Sequence, residues 1–166
     1  MKAIYLIGFM GAGKTTVSKK LAEKLSVNNY DTDNEIVKLA GMAINDIFAS
    51  RGEEHFRELE SAVLQAMPAS NAVIATGGGI VISSGNRHQL REKGLVIFLY
   101  ANINETLKRL AGDESRPLLQ GNKLQSAELL FTTRLPLYRQ TADFEIDTTS
   151  KDVSDIVDEI VQCMKQ

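Results

Sequence analysis

The sequence is poor in cysteine and in long apolar runs. It contains one cysteine, Cys163, and no apolar run that approaches the roughly 18 residues of a membrane span. A lone cysteine has no partner for a disulfide, and no second cysteine or histidine stands near it at metal-ligand spacing. This pattern favours a protein of the reducing cytoplasm. Because a short apolar segment begins almost at the first residue, we expect no signal peptide and no membrane anchor.

The chain also lacks a strong excess of either charge. Its 166 residues carry 19 basic and 21 acidic side chains, for a net charge of −2, and no run of Lys and Arg forms a basic stripe. Proteins that bind nucleic acid usually display such a stripe, so nucleic acid is not an expected partner and a small molecule is favoured. Internal repeats and low-complexity linkers are absent, and the length is that of one domain. We therefore expect a single domain over residues 1–166. A monomer is a separate expectation, which neither length nor composition establishes.

A phosphate-binding motif follows the first apolar segment. The residues from Gly8 to Thr15 read GFMGAGKT, which fits the pattern G-x-x-x-x-G-K-[ST]. Its glycines permit backbone turns with positive φ and let successive N–H groups approach phosphate oxygens. Lys14 can reach the β- and γ-phosphates, and the Thr15 hydroxyl can ligate Mg²⁺. The residues expected to hold a nucleoside triphosphate are Gly11, Ala12, Gly13, Lys14, Thr15 and Thr16.

Strand patterns alternate with helical patterns along the chain. The predicted strands are Ala3–Ile7, Asn29–Thr32, Ala72–Thr76, Leu95–Tyr100 and Phe144–Asp147. Apolar residues at helical spacing predict helices after the phosphate loop, from Phe56 to Met67, from Thr106 to a terminating Gly112, and from Val153 to Met164 after a capping pattern. This order is typical of an α/β fold in which helices flank a parallel sheet.

Two aspartates follow the second predicted strand. Asp31 and Asp33 lie at the edge of the sheet where open α/β folds bind ligands, and strand alternation would place them on one side. A division of tasks is plausible, with Mg²⁺ for one carboxylate and a substrate hydroxyl for the other. Because the third strand ends in Thr76 rather than in an acidic residue, we assign the metal to Asp31. The alternative is turn chemistry, with Asp33 capping the next helix.

Three consecutive glycines, Gly77 to Gly79, follow the third predicted strand. Without side chains, the backbone at this point can approach a ligand closely or make a tight turn. The residues alone leave both alternatives open.

Taken together, these segments resemble the shikimate kinase family of small P-loop kinases. The resemblance spans essentially the whole chain, through GFMGAGKTT, DTD at Asp31 to Asp33, GEEHFRELE at Gly52 to Glu60, GGG at Gly77 to Gly79, RPLL at Arg116 to Leu119 and RLPLY at Arg134 to Tyr138. It implies Mg²⁺- and ATP-dependent phosphorylation of the 3-hydroxyl of shikimate, in the pathway to chorismate and the aromatic amino acids. It also implies a three-layer α/β/α fold with a five-stranded parallel sheet of order 2-3-1-4-5. A mobile lid at about 112–125 and a shikimate-binding region at about 33–61 complete the expected domain.

On the substrate side, the resemblance makes Asp33 the group that contacts the shikimate hydroxyls and orients or deprotonates the attacking one. Arg57 and Arg134 become the clamp on the shikimate carboxylate, helped by the backbone of Gly78 and Gly79. Guanidinium groups suit this task because they bind carboxylates in a bidentate way.

The residues alone also permit ordinary surface roles for both arginines. Arg57 could form an i, i+4 pair with Glu53, and Arg134 could simply solvate a helix face.

On the nucleotide side, the resemblance places Arg116 in the lid over the ATP phosphates, where it would assist catalysis, and Arg109 against adenine. Position 151 departs from the pattern, because Lys151 stands where an arginine could stack on the base. His55 and His88 are interpreted as surface residues without a metal.

Two other classes of function are compatible with a phosphate loop. Another small-molecule kinase, acting on gluconate or a nucleoside monophosphate, would keep the loop and lid but not the DTD, FR and GGG segments together. A non-enzymatic nucleotide-binding regulator would be expected to have lost Lys14, Asp33 or Arg57, and all three are present.

Overall fold

A five-stranded parallel sheet forms the centre of the protein. The computed structural model describes residues 1–110 and 123–166, without side-chain detail for residues 110 and 123–125. The strands in these ranges are β1 (Ala3–Ile7), β2 (Asn28–Asp31), β3 (Ala72–Ala75), β4 (Gly94–Tyr100) and β5 (Phe144–Asp147). Their order is β2-β3-β1-β4-β5, with parallel pairing throughout, which confirms the expected topology.

The central strand explains why the sheet is covered on both faces. All five residues of β1, AIYLI, are buried. Ala3, Tyr5 and Ile7 enter one apolar cluster, while Ile4 and Leu6 enter the cluster on the other face. A near-continuous apolar strand is typical of a parallel sheet between two helical layers.

Helices form those two layers. They are α1 (Lys14–Leu25), α2 (Thr32–Ala40), α3 (Ile44–Ala66), α4 (Ser84–Lys93), α5 (Ile103–Leu110), α6 (Lys123–Thr141) and α7 (Val153–Met164), with a short 3₁₀ turn at Ile80–Ile82. Helices α1 and α7 pack on the face of Ile4 and Leu6, and the others contribute to the opposite cluster. The three-layer α/β/α architecture is therefore confirmed. No helix in the described ranges is long and apolar enough to cross a membrane.

Two helices, α4 and α6, were not predicted from the sequence. Leu90 is the one apolar residue that α4 buries, so its helical stripe is too short to recognise. Helix α6 contains Pro136, and its buried residues include Arg134 and Tyr138. Its buried face therefore lacks the regular apolar pattern by which a helix is predicted. The predicted helix end at Gly112 lies outside the described residues. So does the predicted lid, apart from the backbone at the start of α6.

Helix α3 is broken at Gly52. This residue has φ 84° and ψ 170°, a conformation that is almost exclusive to glycine, inside an otherwise helical segment. The break separates a first segment from a second segment that carries Arg57 and Glu60.

Candidate active site

The phosphate loop joins β1 to α1. Gly11 and Gly13 have φ values of 78° and 90°, so the loop uses the positive-φ turns that its glycines predicted. Gly13 immediately precedes α1, and the helix N-terminus therefore faces the loop. The Lys14 ammonium donates to the carbonyls of Gly8 and Phe9, the latter at 3.1 Å. The loop thus lies beside a helix N-terminus and a cation, an arrangement that suits an anionic ligand.

Asp31 connects the phosphate loop to α2. Its Oδ2 accepts a hydrogen bond of 3.0 Å from the Thr15 hydroxyl. Its Oδ1 accepts from the backbone N–H groups of Asp33 at 2.9 Å and Asn34 at 3.3 Å, so Asp31 is the N-cap of α2. The alternative that Asp33 caps this helix is therefore wrong. The argument from strand alternation is also wrong, because β2 ends at Asp31 and Asp33 belongs to the first turn of α2.

The Thr15 and Asp31 oxygens fit Mg²⁺. Hydroxyl and carboxylate oxygens are hard donors, and Mg²⁺ commonly takes one or two of them together with waters and phosphate oxygens. The described residues contain no group of three or more His, Cys, Asp and Glu that would form a metal cage. Mg²⁺ bound to Thr15 and Asp31 would take its remaining oxygens from waters and the nucleotide.

The glycine segment 77–79 makes room for three functional side chains. A Cβ on Gly77 would lie 2.8 Å from Asp33 Oδ1 and 3.0 Å from Glu60 Oε2. A Cβ on Gly79 would lie 2.6 Å from Arg57 Cζ. None of the three glycines has a positive φ. They are required by the close approach of these side chains to the backbone rather than by a left-handed turn.

Two hydrogen bonds fix the position of this segment. The N–H of Gly77 donates to Thr32 Oγ1 at 3.0 Å, and the Tyr138 hydroxyl donates to the Gly78 carbonyl at 2.6 Å. Tyr138 is buried and stacks on Phe98 with ring centroids 5.0 Å apart. Burial raises the pKa of Tyr138 above its ordinary value, so the hydroxyl keeps its proton and remains a donor. The segment is held from α2 and α6 at the same time.

Arg57 and Glu60 form an ion pair next to the glycines. Arg57 Nη1 lies 3.0 Å from Glu60 Oε1, and the Glu60 side chain is 1% exposed. Burial raises the pKa of Glu60 to about 7, with a further increase from Asp33, while Arg57 and Arg134 oppose the change. Its Oε2 has no hydrogen-bond partner among the described residues. Glu60 is thus a buried carboxyl that titrates near neutral pH inside the site.

Arg134 completes the group around the glycines. It is 3% exposed, and its Nη1 lies 3.5 Å from the place that a Cβ on Gly78 would take. The surface alternative for Arg134 is therefore wrong. The ion-pair partner of Arg57 is Glu60 rather than Glu53. The structure brings Asp33, Arg57 and Arg134 to one place, although they come from three different helices.

The nucleotide-side residues are spread more widely. Arg109 Nη1 donates to the Gly11 carbonyl at 2.8 Å, so α5 reaches the phosphate loop. The Lys151 ammonium instead pairs with Glu159 at 2.9 Å. Arg116 lies outside the described residues. Of the two expected base contacts, Arg109 is thus beside the loop, whereas Lys151 is bound to α7.

Several residues of the site were given no role from the sequence. Glu60 stands three positions after Arg57 on one helix, a spacing that could have indicated the ion pair. Thr32 and Tyr138 hold the glycine backbone, and no local pattern signals such long-range bonds. His55 and His88 lie 3.9 Å and 3.1 Å from Glu58 and Glu92 on their own helices, which agrees with their interpretation as surface or helix-edge residues.

The comparison with known proteins decides the family. A family model described as shikimate kinase matches residues 10–165. This chain belongs to the shikimate kinase family. The shikimate kinase of Caldicellulosiruptor bescii is 48% identical to it over 150 residues, which cover 89% of this chain and 87% of that protein. That of Bacillus mycoides is 42% identical over 162 residues, covering 98% of each protein.

A solved shikimate kinase has the same fold. The structure of the enzyme from Acinetobacter baumannii in complex with shikimate superposes with a TM-score of 0.96 at 40% identity. The match covers 99% of this chain and 93% of that one. The expected family, its kinase class and the sheet order are therefore confirmed. This shikimate kinase family member has the length and architecture of its relatives.

Proposed function

We propose that this chain transfers the γ-phosphoryl group of ATP to the 3-hydroxyl of shikimate, forming shikimate 3-phosphate and ADP. One observation carries the proposal: the guanidinium groups of Arg57 and Arg134 surround the glycine segment together with the carboxyl groups of Asp33 and Glu60, at the edge of the sheet that also holds the phosphate loop. An acceptor with both a carboxylate and hydroxyl groups matches that combination. The family membership of the chain supports the same acceptor.

On the acceptor side, Arg57 and Arg134 bind the carboxylate of shikimate, assisted by the backbone at Gly78 and Gly79. Arg134 is buried and Arg57 is partly buried, which favours this role because charge-assisted bonds are stronger away from water. The Arg57–Glu60 pair supports it further, since Glu60 fixes the orientation of the guanidinium before the substrate arrives.

On the donor side, the phosphate loop holds ATP. Lys14 stabilises the charge on the β- and γ-phosphates, and Thr15 with Asp31 would hold Mg²⁺. When bound, Mg²⁺ would neutralise part of the negative charge on the phosphates. Arg116 of the predicted lid would add a further cation.

Asp33 orients the attacking hydroxyl. During transfer, the hydroxyl oxygen bonds to the γ-phosphorus, the bond from that phosphorus to the bridging oxygen breaks, and the hydroxyl proton leaves towards Asp33. A loose transition state needs little deprotonation in advance, so orientation accounts for much of the effect.

The base of the nucleotide would lie against Arg109, which is already anchored to the phosphate loop. Lys151 is the weaker candidate because its ammonium is engaged by Glu159. The shikimate-binding region at about 33–61, the lid at about 112–125, the monomeric state and the cytoplasmic location stay predictions.

Coupled measurement of ADP release tests the proposal. We expect rapid, Mg²⁺-dependent release with shikimate and little with gluconate or AMP, and the product should be the 3-phosphate ester. The Lys14→Met variant serves as the background control. Equal or greater turnover of gluconate or AMP would show that the acceptor has been assigned wrongly.

A further inference from the structure

Glu105 connects three segments around the nucleotide side of the site. It stands in the first turn of α5, and its Oε1 lies 3.0 Å from Arg109 Nη2. The same carboxylate accepts the backbone N–H of Ser150 at 3.3 Å and 3.2 Å through its two oxygens. Arg109 in turn donates to the Gly11 carbonyl. A single carboxylate thus joins α5, the phosphate loop and the segment between β5 and α7.

The usual role of a glutamate at this helix position does not account for these contacts. Asn102 Oδ1 accepts the N–H of Glu105 at 2.8 Å, so Asn102 occupies the N-cap position of α5. In a capping box, the glutamate would return the bond to the N–H of the cap residue. Here the Asn102 N–H donates to Thr149 Oγ1 at 3.2 Å instead. The Glu105 carboxylate therefore binds Arg109 and Ser150 rather than its own helix end.

The backbone that Glu105 holds is not relaxed. Ser150 has φ 60°, a left-handed conformation that a residue other than glycine adopts only when its surroundings require it. The hydrogen bonds from the Ser150 N–H to the two oxygens of Glu105 help to hold this conformation. The pair of Glu105 and Arg109 is partly buried, with side chains 26% and 32% exposed, which limits screening by solvent.

We propose that Glu105 is a positioning residue for nucleotide binding: its carboxylate, anchored by the Ser150 N–H, fixes the guanidinium of Arg109 beside the phosphate loop. The inference rests on the proposed function, which places the base against Arg109. A guanidinium held in its plane by Glu105 and by the Gly11 carbonyl keeps its face available for stacking. Without Glu105, Arg109 keeps its charge but loses its orientation.

Direct titration of ADP measures the effect, because it requires no acceptor. Four proteins form a cycle: wild type, Glu105→Gln, Arg109→Ala and the double variant. We expect Glu105→Gln to weaken ADP binding by on the order of 10-fold and to have no further effect in the Arg109→Ala background. Shikimate KM should stay unchanged. Glu145→Gln is the matched control, since it breaks an Arg–Glu pair of 2.9 Å with Arg139 on the surface.

Two outcomes overturn the inference. One is wild-type ADP affinity in Glu105→Gln. The other is an equal loss of affinity with and without Arg109, which would mean that Glu105 does not act through Arg109. If Glu105→Gln folds poorly, Glu105→Asp replaces it, because aspartate keeps the charge and is too short to reach both partners. If the four proteins show the expected ADP affinities but the wild type does not phosphorylate shikimate, the proposed function is rejected and this inference stands.

Discussion

Arg57 and Glu60 form an ion pair of 3.0 Å in which the carboxylate is 1% exposed and its second oxygen has no partner among the described residues. The pair lies directly against Gly79, whose missing side chain leaves space for the guanidinium. The orientation of Arg57 therefore depends on one buried carboxylate and on one glycine.

The stability of the protein should depend on the protonation of Glu60. Its pKa rises from 4.5 to about 7 on folding, so the folded chain binds this proton more tightly than the unfolded chain. The contribution of Glu60 to the free energy of unfolding should therefore decrease as the pH rises from 4.5 to about 7. Urea denaturation across this pH range measures the change in the free energy of unfolding. Relative to wild type, Glu60→Gln should become progressively more stable with increasing pH, and a constant difference would contradict the prediction.

Gly79→Ala should impair the binding of shikimate. The new Cβ would lie 2.6 Å from Arg57 Cζ, so the guanidinium must move. Shikimate KM should rise by a factor of about 10 or more, the equivalent of one charge-assisted hydrogen bond, while ATP KM should change little. Gly85→Ala is the matched control, because its Cβ would meet only Ser83 Oγ at an ordinary 3.6 Å. An unchanged shikimate KM in Gly79→Ala would show that the position of Arg57 does not affect shikimate binding.

Lys14→Met should act on the chemical step. The ammonium stabilises charge that develops between the β- and γ-phosphates, so kcat should fall by about 10² or more. Steady-state kinetics with shikimate and ATP measure this loss. Lys19→Met, at an exposed position five residues further along α1, is the control and should remain near wild type. Retention of kcat by Lys14→Met would exclude Lys14 from the transition state.

Gly52→Ala should destabilise the fold. A Cβ there would have no atom within 4 Å, so the entire cost comes from the backbone at φ 84° and ψ 170°. We expect a loss of about 1–3 kcal/mol in the free energy of unfolding, measured with urea. Gly85→Ala, in α4 and without a positive φ, should be neutral or slightly stabilising. Equal stability of the two variants would mean that α3 can straighten at little cost.

Much of the fold was predictable because its signals are local. The strands were located within one residue at each end, since apolar segments bounded by turns read clearly in a parallel sheet. Helix α6 was not predicted because Pro136 and the buried Arg134 interrupt its apolar pattern. The sequence predicted that β2 ends at Thr32. In the structure it ends at Asp31, because Asp31 caps α2 and the helix begins at Thr32.

The sequence by itself determined the phosphate loop, the family resemblance and the chemical types of the site residues. These depend on consecutive residues, whose backbone preferences act within a few positions of the chain. Only the tertiary structure decided that Glu60 is buried against Arg57, that the three glycines make room for side chains, and that Glu105 joins α5 to Ser150. Burial, desolvation and close approach belong to pairs of residues far apart in sequence, so they come into existence only when the helices pack on the sheet.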